Sequence, residues 1–124
     1  MSEQTILYIE DNEYNRKIVR QLVSRTSYRL IEAVDGESGV AQAQEHLPDL
    51  ILMDVQLPKM SGLDATRLLK ADPRTSHIPI VVITSFALSG DREKASAAGA
   101  TSYLAKPYSP RELLALIRQY LPES

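Results

Sequence analysis

Short β-rich apolar runs alternate along this chain with longer segments whose apolar residues recur at helical spacing, and few folds accommodate that order. The runs are Thr5 to Ile9, Arg29 to Ala33, Leu50 to Met53, Ile80 to Thr84 and Ser102 to Leu104. The third and fourth are almost wholly apolar, as in strands covered on both faces. Between the runs, Ile18, Val19, Leu22 and Val23 form one apolar stripe, and Leu113, Leu116, Ile117, Tyr120 and Leu121 form another. Each stripe predicts a helix that buries one side. Asp35-Gly36 opens the second helix, Pro48 closes it, and Pro79 limits the start of the fourth strand. Ser109-Pro110 followed by Glu112 reads as an N-cap, a proline at the first helical position and an acidic first turn. Parallel neighbours need a crossover, and right-handed crossovers place helices on both faces of the sheet. Five such units predict an α/β fold, a doubly wound sandwich around one five-stranded parallel sheet.

With 124 residues the chain fits one domain, expected to fill 1–124 with its core at about 5–121. No linker, internal repeat or low-complexity stretch interrupts it, so no output domain is expected. A formal net charge of −2, a pI near 5.7 and the lack of any Lys or Arg run argue against a nucleic-acid surface, which needs clustered positive charge. The chain has no cysteine, which excludes disulfide and thiolate chemistry and permits a reducing compartment. Its apolar stretches are too short to span a bilayer, and Met1 to Thr5 lacks a signal-peptide apolar region. A cytoplasmic protein without membrane contact is expected.

In open parallel sheets, ligands bind outside the carboxyl ends of the strands, where the winding reverses. After the first strand come Glu10 and Asp11; the third ends at Asp54, the fourth at Thr84, and the fifth is followed by Lys106-Pro107. Each has a simpler reading taken singly. Glu10-Asp11-Asn12 is also a polar turn that would cap the first helix, Thr84 an ordinary β-branched strand residue, and Lys106 a solvated charge. Asp54 resists that treatment, because it directly follows the apolar run Leu50-Ile51-Leu52-Met53.

Clustering these carboxylates without a cation is costly: at about 5 Å and an effective dielectric near 20, each ionised pair repels by roughly 3 kcal/mol. Lys106 supplies one positive charge, and no Arg falls at the other strand ends. A divalent metal is the natural remainder. All-oxygen ligation favours magnesium, manganese or calcium over zinc or copper. Magnesium, which keeps several waters and bridges to phosphate oxygens, suits an open rim best. Beside such an ion, Asp54 is suited to nucleophilic attack on a phosphoryl group. Thr84 is then placed to donate a hydrogen bond to one phosphoryl oxygen, and Lys106 a charge-assisted one to another.

These residues resemble the bacterial response-regulator receiver domains from Ile6 to about Leu121. The match lies in Glu10-Asp11, in Asp54 within Leu52-Met53-Asp54-Val55-Gln56-Leu57-Pro58-Lys59-Met60-Ser61-Gly62, in Thr84 after Val81-Val82-Ile83, and in Lys106-Pro107. Tyr8-Ile9-Glu10-Asp11-Asn12-Glu13 and Ile83-Thr84-Ser85-Phe86-Ala87 are similar to stand-alone regulators of the DivK type, although receivers fused to hybrid kinases look much the same. The resemblance implies a flavodoxin-like (βα)5 sandwich, chemotaxis-regulator-like, with strand order 2-1-3-4-5. It implies a two-component or phosphorelay switch in which Asp54 takes a phosphoryl group from a sensor histidine kinase or histidine phosphotransfer protein. Asp11 and Asp54 would be direct ligands of Mg2+, for which Mn2+ would substitute. Gln56 would add its backbone carbonyl, Glu10 would act through water, and Lys106-Pro107 would be a cis peptide. Phosphorylation would draw Thr84 inward and rotate Tyr103, changing how the surface of the fourth helix, fifth strand and fifth helix binds a protein target. Cell-cycle control is one role such regulators take.

Gln56 and Phe86 would flank the path of hydrolytic water, leaving the phosphoryl lifetime open. Leu88, Tyr108 and Arg111 are candidate partner contacts. His46 and His77 sit far in sequence from the strand-end acids and are expected at the surface. Gly36, Gly39, Gly62, Gly90 and Gly99 form no phosphate-binding loop. Three competitors share parts of this pattern. A flavin carrier of the same architecture would give no reason for Asp54, Thr84 and Lys106 together. A magnesium-dependent phosphohydrolase would use Asp54 on a small substrate but usually needs an acid two residues on, where this chain has Gln56. A phosphorylation-independent docking module would merely retain the rim.

Overall fold

The computed structural model describes residues 4–85 and 89–122. Along the chain run β1 (Thr5–Ile9), α1 (Glu13–Val23), β2 (Arg29–Ala33), α2 (Gly36–His46), β3 (Leu50–Asp54), α3 (Gly62–Ala71), β4 (Ile80–Thr84), α4 (Ser89–Ala98), β5 (Ser102–Ala105) and α5 (Pro110–Tyr120). The five strands form one parallel sheet in the order β2-β1-β3-β4-β5, the doubly wound sandwich expected from the alternation.

Strand periodicity splits the apolar runs between two cores. Ile6 and Tyr8, Leu50 and Leu52, and Val81 and Ile83 face a cluster completed by Val19 and Val23 of α1 and Leu113 and Ile117 of α5. Leu7 and Ile9, Ile51 and Met53, and Ile80 and Val82 face the opposite cluster, with Ala43, Ala65, Leu69 and Ala95 from α2, α3 and α4. This double coverage explains why β3 and β4 are buried at every position. Each such Leu, Ile or Val contributes roughly 1.5–3 kcal/mol of burial. The Tyr28 hydroxyl donates to the Leu121 carbonyl and ties the chain end to the edge strand.

Helix starts are secured locally. Asn12 accepts from the Asn15 N–H at 3.0 Å and caps α1. Asp35 and Ser38 form a capping box at α2, and Ser109 and Glu112 another at α5. The ends of β3 and β5 each run one residue past the runs read from the sequence, to Asp54 and Ala105, because the ladders continue to the pairs Asp54–Ile83 and Thr84–Ala105. Ala95 and Ala98 of α4 are buried, but Ala97 is exposed, lying two residues from Ala95 on the far side of the turn. Ile18 on α1 also remains partly exposed, at the mouth of a groove described below.

Candidate active site

The acidic rim begins where β1 ends. The Glu10 N–H still bonds the Ala33 carbonyl at 3.0 Å, so Glu10 leaves the sheet's carboxyl edge in a defined direction. It is buried, whereas Asp11, next along the chain, is exposed. Asp54, the last residue of β3, is 3% exposed. β1 and β3 are in register, Ile9 opposite Met53, which brings the three acids to one edge. One carboxylate oxygen from each of Glu10, Asp11 and Asp54 lies within 4.8 Å of the others.

A glycine makes this approach possible. A Cβ on Gly62 would meet the Asp54 carbonyl oxygen at 2.0 Å, so only glycine lets the start of α3 close onto the end of β3. The Gly62 N–H bonds the Val55 carbonyl at 2.9 Å, completing the turn.

Lys106 enters from the opposite flank. Its backbone N–H bonds the Thr84 carbonyl at 2.7 Å, and its peptide bond to Pro107 is cis. Its ammonium lies 3.3 Å from Glu10 Oε1 and 3.5 Å from Asp54 Oδ1. Thr84 ends β4, 2% exposed, one residue beyond the Asp54–Ile83 register pair. The Gln56 N–H donates to Asp54 Oδ1 at 3.2 Å, and the Gln56 side chain accepts from Ser85 Oγ at 2.7 Å. Tyr103 is half-buried on β5, with the Arg92 guanidinium 5.6 Å from its ring centre.

Charge in this pocket is unbalanced. Burial pushes the Asp54 carboxyl up, to about 7, and the hydrogen bond to and charge of Glu10 push it further than Lys106 and the Gln56 N–H pull it back. Burial also pushes Glu10 up. There the hydrogen bond with Asp54, the Lys106 charge and the Asn12 and Asn15 donors outweigh it, so Glu10 lies below the usual carboxylate range. Without a metal, then, Asp54 holds a proton to higher pH than an ordinary carboxyl does. Burial pulls Lys106 down, but the Asp54 and Glu10 charges outweigh that and keep it cationic. Three clustered carboxylates offering only oxygen donors fit a hard dication.

The structure brings in residues that the sequence did not flag. Tyr8 Oη donates to Glu10 Oε1 at 3.3 Å and Asn15 Nδ2 donates to the same oxygen at 3.2 Å. Arg16 Nη1 donates to the Glu10 carbonyl oxygen at 2.8 Å. This arginine is not at a strand end in the sequence; it reaches back to the acidic turn from inside α1. The sequence signal for this helix was Asn12, the cap that starts α1 directly after the acidic turn.

His46 ends α2 beside Glu45 and His77 is exposed in a loop, both at the surface as expected. Arg111 is exposed. Phe86, Ala87 and Leu88 lie outside the described residues. Tyr108, a candidate partner contact, lies just before α5, on the flank that this helix shares with α1. It packs against the α1 and α5 core and lines a groove of about 570 Å³ with Ile18, Leu22, Leu113 and Pro110, opening beside Lys106. Side chains at this position point to that flank because α5 begins just after it and covers the β1 face bearing Tyr8.

Comparison with known proteins accounts for this arrangement. The polar-differentiation response regulator DivK of Brucella anthropi is 40% identical over 121 residues, covering 98% of both chains. The receiver domain of a Pseudomonas aeruginosa sensor histidine kinase, solved with a magnesium ion in its active-site cleft, superposes with a TM-score of 0.89. It is 35% identical and covers 98% of this chain and 100% of that one. The Mn(2+)-bound form of the response regulator Rcp1 superposes with a TM-score of 0.79 at 26% identity, covering 94% of this chain and 90% of that one. The family described as response regulator receiver domain matches residues 6–118, and with the acids, threonine and lysine gathered at one sheet edge, the chain belongs to that family of two-component signalling switches.

Proposed function

We propose that Asp54 accepts a phosphoryl group from a phosphohistidine on a sensor histidine kinase or histidine phosphotransfer protein. The observation that carries this reading is the convergence of Glu10, Asp11 and Asp54 on one point with Lys106 against two of them. Asp11 and Asp54 would hold Mg2+ directly, with the Gln56 backbone carbonyl; Glu10 would hold it through water. Mn2+ would serve in its place, as the Mn(2+)-bound relative suggests. When bound, the ion supplies positive charge to the phosphoryl oxygens. A carboxylate oxygen of Asp54 forms the new P–O bond as the P–N bond to the donor imidazole breaks, its electron pair leaving on the ring nitrogen. An ionised carboxylate needs no general base for this step. Lys106 donates a charge-assisted hydrogen bond to one phosphoryl oxygen and the Thr84 hydroxyl donates to another.

Thr84 and Tyr103 form the switch: drawing the threonine inward frees space for the ring, and the α4–β5–α5 surface then binds a protein target differently. Output through protein binding fits a chain of net charge −2 whose sequence carries no run of Lys or Arg. Water later cleaves the acyl phosphate slowly, so the chain catalyses its own phosphotransfer and reset and remains a switch more than an enzyme.

The test is direct. The protein is incubated with magnesium and either acetyl phosphate or phosphoramidate, and the added phosphate is located by mass spectrometry. An acid-labile group on Asp54, absent from Asp54→Asn and from samples with chelator, is expected. An acid-stable label on Ser or Thr would overturn the reading, and sustained turnover of a generic phosphate ester would favour a phosphohydrolase.

A further inference from the structure

We propose that Arg16 is a positioning residue for the metal loop, fixing the peptide from which Asp11 departs. This rests on the reading of Glu10, Asp11 and Asp54 as a magnesium site. The Arg16 side chain is 11% exposed, and its nitrogens meet three different acceptors. Nη1 donates to the Glu10 carbonyl at 2.8 Å, Nη2 pairs with the Glu13 carboxylate, and Nε lies 3.5 Å from Glu32 Oε1.

The first contact matters most. The Glu10 carbonyl belongs to the same planar peptide unit as the Asp11 nitrogen, so holding that oxygen sets the plane from which the Asp11 side chain projects. Glu10 is fixed by the sheet through its N–H to the Ala33 carbonyl. Asn12 is fixed by the helix it caps. Asp11, exposed between them, has Arg16 as the brace on its preceding peptide. The other two arms anchor the guanidinium itself. Glu13 is on the same helix, and Glu32 is on β2 opposite Tyr8, held independently by Arg20 at 2.7 Å through both nitrogens. A planar fork of donors suits this task, where a lysine ammonium on a flexible stem does not.

The simpler account treats Arg16 as one member of a surface ion-pair cluster, and such pairs contribute little. The two accounts differ in sign. Removing a cation beside a dication site relieves repulsion, so by charge alone Mg2+ would bind Arg16→Met more tightly. If Arg16 positions the loop, Mg2+ binds more weakly despite that relief.

The experiment titrates Mg2+ into the metal-free full chain by calorimetry, comparing wild type, Arg16→Met, Arg16→Gln and Glu32→Gln, with melting temperatures taken without metal. About a tenfold loss of Mg2+ affinity is expected for Arg16→Met, in the range of other residues that orient metal ligands. Arg16→Gln, which removes the charge but keeps an N–H donor, is expected to recover part of it; Glu32→Gln should stay within about twofold, since Arg16 keeps its bond to the loop. If Arg16→Met does not fold, Arg16→Gln alone decides, with weaker binding than wild type supporting the proposal. Unchanged or tighter Mg2+ binding in the arginine variants, with wild type binding normally, overturns the role of Arg16 and leaves the site intact. Failure of wild type itself to bind Mg2+ overturns both.

Discussion

Asp54 sits almost wholly out of water, and burial with Glu10 beside it raises its carboxyl from the ordinary 3.8 to about 7. Between those values the folded chain keeps a proton that the unfolded chain has released, so folding stability falls as pH rises and the full penalty applies above 7. Asp54→Asn removes an ionisable group from that pocket. It should stabilise the metal-free protein by about 2 kcal/mol at pH 8, with the advantage fading as pH drops toward 4. Urea unfolding of both proteins across that range checks this; an advantage that grows toward acid would contradict the assignment of the proton to Asp54. The same proton competes with a metal, so the site exchanges one for the other and Mg2+ affinity should decline as pH is lowered through 7. Calorimetric titration at pH 6 and pH 8 would show the difference.

At the scale of elements, the site depends on how closely α3 approaches β3. A methyl at Gly62 has nowhere to go, because the obstacle is the Asp54 backbone carbonyl and not a flexible side chain. Gly62→Ala should therefore cost about 3 kcal/mol or more and weaken metal binding together with stability. A midpoint shift in chemical denaturation below a third of that would show that the turn relaxes easily. The helices differ in how firmly they are held. α1 and α5 set Val19, Val23, Leu113 and Ile117 into the core, whereas the buried described side chains of α4 are Ala95 and Ala98. Small side chains bury little area, so amide protons of 92–98 should exchange at least about tenfold faster than those of 19–23. A helix held this lightly suits the moving part of a switch, and equal protection of both segments would argue against that role.

For the whole molecule, a ligand that binds the folded state alone raises its stability by mass action. Magnesium at a hundredfold excess over its dissociation constant should add about 2.7 kcal/mol, or a melting rise of roughly 10 °C at pH 8, measurable by calorimetry. Asp54→Asn should lose most of that rise, and an undiminished response would place the ion elsewhere. Much of this architecture could be read from order alone. Residues alternating between two buried faces leave continuous apolar strands, so Leu50-Ile51-Leu52-Met53 announces a covered parallel strand and the polar residue after it a position on the rim. Local chemistry likewise marked the cap at Ser109 and the stop at Pro48. Residues that act across the fold were harder to see. Arg16 was invisible as part of the acidic turn because its partner is a main-chain carbonyl, which every residue carries. The packing of Tyr108 was equally hidden, because sequence offers no measure of which core a loop side chain joins after the last strand. Periodicity and punctuation determined the layers and the order of acids along the edge, since those follow from chain-local geometry and the hydrophobic effect. Tertiary packing alone decided that three carboxylates approach within 4.8 Å with one lysine between two of them, because that distance depends on strand register and on Gly62, which no local pattern encodes.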